Sequence, residues 1–325
     1  MEVQGLVDRL FTGDIRSLAR AISLVENNTP DATAVLSACF PHTGNALRIG
    51  LTGSPGAGKS TLVDQLARYY RQRQERVGII AVDPTSPFTG GAILGDRIRM
   101  QSQHADPGLY IRSMATRGFL GGMAATTADI ASVVEASGKS CLMIETVGVG
   151  QDEVDIVRLA DVTVVILVPG LGDDVQSIKA GILEIADIFV VNKSDREGAD
   201  RVEREIRAMQ SLGSHAQGWV PPVVRTIAST GEGTAALAES IDRCAAWMRQ
   251  SGRLASKRNE AWRERLLEMV RQRLTRELIR HSLGASELAR YAAAVAARDE
   301  DPYVLVERLV QDLLNLHRIS NVQHK

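Results

Sequence analysis

A doubly wound, mostly parallel α/β sheet is the fold this sequence predicts, and three observations point to it. Short apolar runs alternate with helical stretches from Arg48 to about Met248. The longest run, Val162 to Val168, is apolar but for Thr163, as suits a central parallel strand covered on both faces. Each stretch with recognisable chemistry lies at the carboxyl end of such a run, where open α/β sheets bind their ligands.

Taken in order, residues 1–45 read as an N-terminal helical extension. Leu6, Leu10, Ile15, Leu18, Ala19, Ile22 and Val25 recur mostly at three- and four-residue steps, and Pro30 and Pro41 punctuate the region. Residues 46–250 form the α/β domain, with strands expected at Ile49–Gly53, Val77–Asp83, Leu109–Met114, Cys141–Val147, Val162–Val168, Ile188–Val191 and Val223–Ala228. Residues 251–325 change character. A charged stretch from Lys257 to Arg280 carries Trp262, Leu266, Val270, Leu274 and Leu278 at helical spacing. Glu260, Glu264, Glu268 and Glu277 are interleaved with its arginines, so its polar face reads as solvated rather than as a nucleic-acid or membrane element. An apolar stripe outside the main domain points to a dimerisation arm.

Composition narrows the function classes. The 325 residues are 44% hydrophobic, enough for an ordinary packed core, and the formal net charge of −1 argues against field-driven nucleic-acid binding. Cys39, Cys141 and Cys244 are scattered without C-x-x-C spacing, which speaks against a zinc site or a disulfide framework. No apolar run approaches the roughly 18 residues of a spanning helix, and the acidic N-terminus resembles neither a secretory signal nor a transit peptide. These features predict a reduced, cytoplasmic protein with no membrane partner.

Gly53-Ser54-Pro55-Gly56-Ala57-Gly58-Lys59-Ser60 matches G-x-x-x-x-G-K-[ST] and stands between an apolar run and a helical stretch, Thr61 to Arg73. In this P-loop, backbone N–H groups converge on phosphates, Lys59 neutralises the β and γ oxygens, and the Ser60 hydroxyl reaches Mg²⁺. The run Ile188-Phe189-Val190-Val191 leads into Asn192-Lys193-Ser194-Asp195, the N-K-x-D order of guanine recognition. The carboxylate of Asp195 can accept two hydrogen bonds from the N–H donors on one edge of guanine. Adenine would leave that charge unpaired, at a cost on the order of 2–5 kcal/mol. Thr226-Ile227-Ala228-Ser229-Thr230-Gly231 supplies a backbone-rich loop for the base, with Ala228 and Ser229 at its centre.

Three acids flank this loop. Asp83 ends a strand before Pro84, Asp96 follows the Gly-rich run Gly90 to Gly95, and Glu145 opens Glu145-Thr146-Val147-Gly148, where familiar GTPases carry Asp. Such acids suit Mg²⁺, which favours oxygen ligands, waters and phosphate oxygens.

The strings Val82-Asp83-Pro84-Thr85-Ser86-Pro87, Gly90 to Arg97, Glu145 to Gln151 and Pro169 to Gly181 resemble the MeaB/MMAA family. These are SIMIBI-class P-loop GTPases that chaperone adenosylcobalamin-dependent acyl-CoA mutases, and the resemblance runs from about Leu10 to about Leu316. It implies Ser60, Asp96 and Glu145 around Mg²⁺ with Asp83 nearby, switches at 83–100, 145–155 and 169–179, and a homodimer built partly by C-terminal helices. It also implies that Lys179 moves toward the nucleotide and raises hydrolysis, as a cation beside a transferring phosphoryl group would. Gln151 is a candidate for orienting the attacking water. Cobalamin enters only through the partner mutase. Two alternatives remain: a nickel-insertion metallochaperone GTPase, for which Cys39 and His42 could supply two ligands, and a P-loop kinase acting on a small molecule.

Replacing Asp195 with Asn should relax guanine selection and admit xanthine nucleotides, whose altered edge pairs with an amide. Comparing GDP and XDP affinities of the wild type and Asp195→Asn checks this, and an unchanged preference for GDP in the variant would refute the assignment.

Overall fold

The computed structural model describes residues 3–83, 106–115, 122–146, 152–170, 185–212, 218–281 and 284–322. Seven strands among them form one sheet: β1 (Leu47–Thr52), β2 (Val77–Asp83), β3 (Leu109–Ala115), β4 (Cys141–Glu145), β5 (Val162–Leu167), β6 (Ile188–Asn192) and β7 (Val223–Thr226). Their order is β3-β2-β4-β1-β5-β6-β7, and every pairing is parallel. The chain moves outward from β1 to one side, returns through β4, and then moves outward on the other side from β5. That reversal at β1 makes the crevice at its carboxyl end the place for a ligand.

Alternation along each strand explains why both faces are covered. One face presents Ile49, Leu51, Ile79, Met143, Val164, Ile166 and Val190, packed with Leu62, Leu66 and Tyr70 of α4 (Lys59–Gln72) and Leu237, Ile241 and Cys244 of α8 (Thr234–Gln250). The opposite face is covered in three parts. Val165, Leu167, Phe189 and Val191 meet Val202 and Ile206 of α7 (Ala199–Leu212), and Ile144 meets Ile156 of α6 (Asp152–Leu159). Ile80, Tyr110 and Leu142 meet Ile130 and Val134 of α5 (Gly122–Ala136). Residues i and i+1 of one strand thus enter different clusters, so the strands read as unbroken apolar runs.

The N-terminal residues form α1 (Val3–Phe11), α2 (Ile15–Glu26) and α3 (Ala32–Cys39), followed by a 3₁₀ turn. Asp14 caps α2 by accepting the Ser17 N–H at 2.8 Å. Leu6, Leu10, Leu18, Ile22 and Val25 are buried against α5, and Arg112 of β3 pairs with Glu26, so these helices complete one side of the sheet. Beyond α8 lie α9 (Arg253–His281), α10 (Ala285–Ala297) and α11 (Pro302–Val322). The chain divides into two compact units, 1–261 and 262–325. In the second, Trp262, Leu266, Val270 and Leu274 of α9 are between 44% and 55% exposed, an apolar row that is only half covered.

Several boundaries differ from the sequence expectation by one or two residues, and two of them have a local cause. Helix α4 starts at Lys59 rather than Thr61, because Gly58 takes the left-handed conformation that ends the loop and caps the helix. Strand β7 stops at Thr226, since Ile227 turns away to pair antiparallel with Glu232.

The amino ends of the strands are tied by charge. Asp161 and Asp187, each just before a strand, accept the N–H groups of Arg48 and Thr163 at 3.0 and 2.8 Å. Arg258 grips Asp161 with two bonds of 2.8 Å and donates to the carbonyl of Ala46, and Lys257 donates to the carbonyl of Asp161. Glu135 of α5 is buried among them. Its Oε1 accepts three successive backbone N–H groups, from Gly44, Asn45 and Ala46, at 2.6, 2.7 and 2.8 Å, while Oε2 accepts from Arg48 at 2.8 Å.

Glu135→Ala would orphan three backbone donors and one guanidinium, so it should destabilise the protein by about 3–5 kcal/mol, with Glu135→Gln milder because it keeps one acceptor oxygen. Urea unfolding of the three proteins measures this, and equal midpoints would refute the role given to this carboxylate.

Candidate nucleotide-binding site

Because all seven strands are parallel, their carboxyl ends share one edge, and the residues singled out in the sequence gather there. After β1, Gly53 adopts φ +146°, and a Cβ on it would stand 2.2 Å from the carbonyl oxygen of Ile166 in β5. Only glycine fits between these two backbones. Gly58, at φ +87°, caps α4, and a Cβ there would stand 2.4 Å from Nδ2 of Asn192. The missing side chain is what lets Asn192 reach the loop. The first N–H groups of α4 have no partner within the helix, so its amino end favours an anion. The buried Lys59 ammonium donates to the carbonyls of Gly53 and Ser54 at 2.8 and 3.1 Å, folding the loop over its own cation.

On the next strand over, Glu145 ends β4 opposite Leu51 and is buried. Ser60, in the first turn of α4, donates its hydroxyl hydrogen to Oε1 of Glu145 at 2.6 Å. Beside them the Thr146 hydroxyl donates to the Thr52 hydroxyl at 3.0 Å, and the Thr146 N–H donates to the Leu51 carbonyl, which keeps the two strand ends level. A hydroxyl and a carboxylate in contact at the foot of a phosphate loop are the hard oxygen donors that Mg²⁺ accepts, so the residues present fit that ion. Asp83 closes β2, next to β4, but its side chain lies outside the described residues, as do Asp96, Gln151 and Lys179.

The third corner is built around Asn192, which is 1% exposed. Its Nδ2 donates to the Ala57 carbonyl at 2.8 Å, and its Oδ1 accepts the Thr226 hydroxyl at 3.0 Å and the Ala228 N–H at 3.1 Å. Lys193, at φ +55°, donates its ammonium to the Gly56 carbonyl at 2.8 Å, and the Ser194 N–H donates to the Thr226 carbonyl at 3.1 Å. Asp195 is exposed at the mouth of this corner, and Ser229 is exposed at the tip of the loop whose Ala228 is buried. The structure therefore brings Gly53 to Thr61, Glu145, Asn192 to Asp195, and Ala228 with Ser229 onto one edge.

Sequence reasoning assigned no role to the side chains that hold these corners: Thr52, Thr146, Thr226 and Gln65. Thr52, Thr146 and Thr226 each sit at or just past a strand end, a polar residue closing an apolar run, and that is the one signal that could have found them. Gln65 lies mid-helix and carries none.

The profile of a family described as methylmalonyl-CoA mutase-associated GTPase MeaB matches residues 18–282. A protein of Pyrococcus abyssi named as a GTPase is 46% identical over 315 residues, covering 96% of this chain and 97% of that protein. The GTPase ArgK of Escherichia coli K12 is 34% identical, covering 88% of this chain and 87% of its own. The mouse mitochondrial methylmalonic aciduria type A homolog is 35% identical, covering 82% of this chain and 70% of that protein. Among solved structures, that of a LAO/AO transport system kinase superposes with a TM-score of 0.70 at 26% identity, covering 96% of this chain and 97% of its own.

Truncating Asn192 to Ala would leave the Ala57 carbonyl, the Ala228 N–H and the Thr226 hydroxyl without their shared partner. We expect a loss of about 2–4 kcal/mol in stability and at least roughly tenfold in GDP affinity. Thermal unfolding and calorimetric titration report both, and unchanged GDP affinity would show that the corner is not part of the site.

Proposed function

The chain belongs to the MeaB family of methylmalonyl-CoA mutase-associated GTPases, and from that premise we propose that its GTP hydrolysis serves an adenosylcobalamin-dependent acyl-CoA mutase, gating cofactor loading, protection or reactivation. The reaction converts GTP and water to GDP and phosphate. The observation that carries the reading at this site is the 2.6 Å hydrogen bond between Ser60 and Glu145 at the foot of the phosphate loop, on the same edge as the Asn192 to Asp195 corner. The family name and the mouse relative's name support the mutase as partner.

In this reading the backbone N–H groups of the loop from Gly53 to Thr61, Pro55 excepted, bind the phosphates, and Lys59 exchanges the Gly53 and Ser54 carbonyls for β and γ phosphate oxygens. Asp195 reads the guanine edge, while Asn192 holds the base loop and the phosphate loop at a set separation. Ser60 and Glu145, with Asp83 and Asp96, would hold Mg²⁺, which when bound neutralises charge on the phosphate oxygens. Glu145 keeps the Ser60 hydroxyl in place for that ion, and Gln151 orients the attacking water. Hydrolysis is slow alone and quickens when the mutase brings Lys179 to the transferring phosphoryl group. Cobalamin belongs to the mutase alone.

The exposed row Trp262, Leu266, Val270 and Leu274 supports a homodimer in which a second copy covers it. A cytoplasmic location is the setting we assign, and among the described residues no helix is long and apolar enough to cross a membrane. The nickel-insertion alternative is weakened by its own two candidate ligands. Cys39 is fully buried, with burial pushing its thiol up to about 11, and His42 stacks on Phe11 at 4.0 Å between ring centroids. The solved relative's name as a kinase keeps a phosphotransfer alternative, which product analysis decides by whether phosphate passes only to water.

Single-turnover GTP hydrolysis, with and without a cognate mutase, tests the coupling in the wild type and Lys179→Ala. Partner binding should accelerate the wild type by at least about tenfold, while Lys179→Ala keeps its GTP affinity and basal rate and loses that acceleration. Equal acceleration of both proteins would move the activating role to another group.

A further inference from the structure

Gln65 occupies the middle of α4, six residues past Lys59, and is half-buried where that helix passes the loop after β7. Its Nε2 donates to the Ala228 carbonyl at 3.2 Å. The Ala228 N–H is held from the other side by Oδ1 of Asn192 at 3.1 Å. The loop itself is tightly closed: the N–H groups of Thr230 and Gly231 both donate to the Ile227 carbonyl at 3.0 Å, and the Ile227 N–H donates to the Glu232 carbonyl at 3.0 Å. Gly231 has φ +83°, and a Cβ on it would stand 3.2 Å from Oε1 of Gln65, so the carboxamide packs against both the start and the end of the turn.

A peptide unit is planar, with its C=O and N–H pointing in opposite directions. Fixing the Ala228 carbonyl toward α4 therefore aims the Ser229 N–H away from α4. We propose that Gln65 is a positioning residue for base recognition: by orienting the Ala228–Ser229 peptide it presents a backbone donor that selects purines with an oxygen, rather than an amino group, at C6. This inference rests on the reading of the site as a guanine-nucleotide pocket. It assigns the C6 edge to the base loop through Gln65, while Asp195 reads the N1 and 2-amino donors. A 6-amino purine would set its own donor against the Ser229 N–H and gain nothing from the arrangement.

The experiment compares wild type, Gln65→Ala and the isosteric Gln65→Glu in calorimetric titrations with GDP, IDP, ADP and inorganic tripolyphosphate. IDP keeps the oxygen at C6 but lacks the 2-amino group, and tripolyphosphate probes the phosphate loop alone. The expected result is a loss of about threefold to tenfold in GDP and IDP affinity for Gln65→Ala, by the same factor for both, and a loss at least as large for Gln65→Glu, whose carboxylate faces the Ala228 carbonyl. ADP and tripolyphosphate affinities should stay unchanged, as should kcat at saturating GTP while KM rises. GDP and IDP affinities within about twofold of wild type in both variants would overturn the proposal. So would a parallel loss of tripolyphosphate affinity, which would make Gln65 a support of the helix and phosphate loop instead. A wild type that binds GDP and ADP alike would overturn the guanine reading itself, and the role of Gln65 with it, and this failure shows in the wild-type titrations alone.

Discussion

The carboxamide of Asn192 is the constraint on which the rest of the ligand edge depends. A phosphate loop and a base loop leave different strands, separated in the sheet by β5 and β6, and the parallel ladder spaces the strand ends without fixing how the loops beyond them stand to one another. One buried side chain supplies that distance by donating to Ala57 and accepting from Thr226 and Ala228. A buried amide with its donor and acceptor both used is costly to move, because any shift of either loop leaves a polar group unpaired. Gly58 is the counterpart of this design, since a methyl group there would occupy the space of the Asn192 Nδ2. A nucleotide long enough to touch both loops therefore meets a pre-set span.

The two edges of the sheet are built in contrasting ways. At the amino edge, Glu135, Asp161, Asp187, Arg48, Lys257 and Arg258 are locked in mutual hydrogen bonds and ion pairs that bind the 44–46 segment and the start of α9 to the strands. At the carboxyl edge, charged groups lean on backbone carbonyls instead: Lys59 on Gly53 and Ser54, Lys193 on Gly56. Bonds of an ammonium to neutral carbonyls are readily exchanged for phosphate oxygens of greater charge, which suits the edge that must change partners. The rigid amino edge confines any movement to the loops.

Much of this was legible in the sequence, because the motifs at strand ends and the two-sided burial of the strands leave local marks. The P-loop, the N-K-x-D order and Glu145 were readable as residue patterns, and their convergence follows from a parallel sheet alone. What was not legible has physical causes. The start of α4 lay hidden inside a motif read as a loop, because one left-handed glycine ends the loop and starts the helix at the same place. The end of β7 was overrun because Ile227 and Ala228 are apolar although their backbone has already turned. That α1 to α3 cover the sheet beside α5 depends on contacts between residues far apart in the chain, for which Leu6 or Ile22 carry no local sign. Glu135, Gln65 and Arg258 are single polar residues on ordinary helices, and only the folded backbone shows what they hold.

The claim that the base loop and phosphate loop act as one unit is tested most directly by hydrogen exchange in the wild-type protein with inorganic tripolyphosphate, which can touch only the phosphate loop. If Asn192 transmits order between the loops, tripolyphosphate should slow exchange both at residues 53–62 and at 226–231, although no base is present. Slowing confined to residues 53–62 would contradict the account.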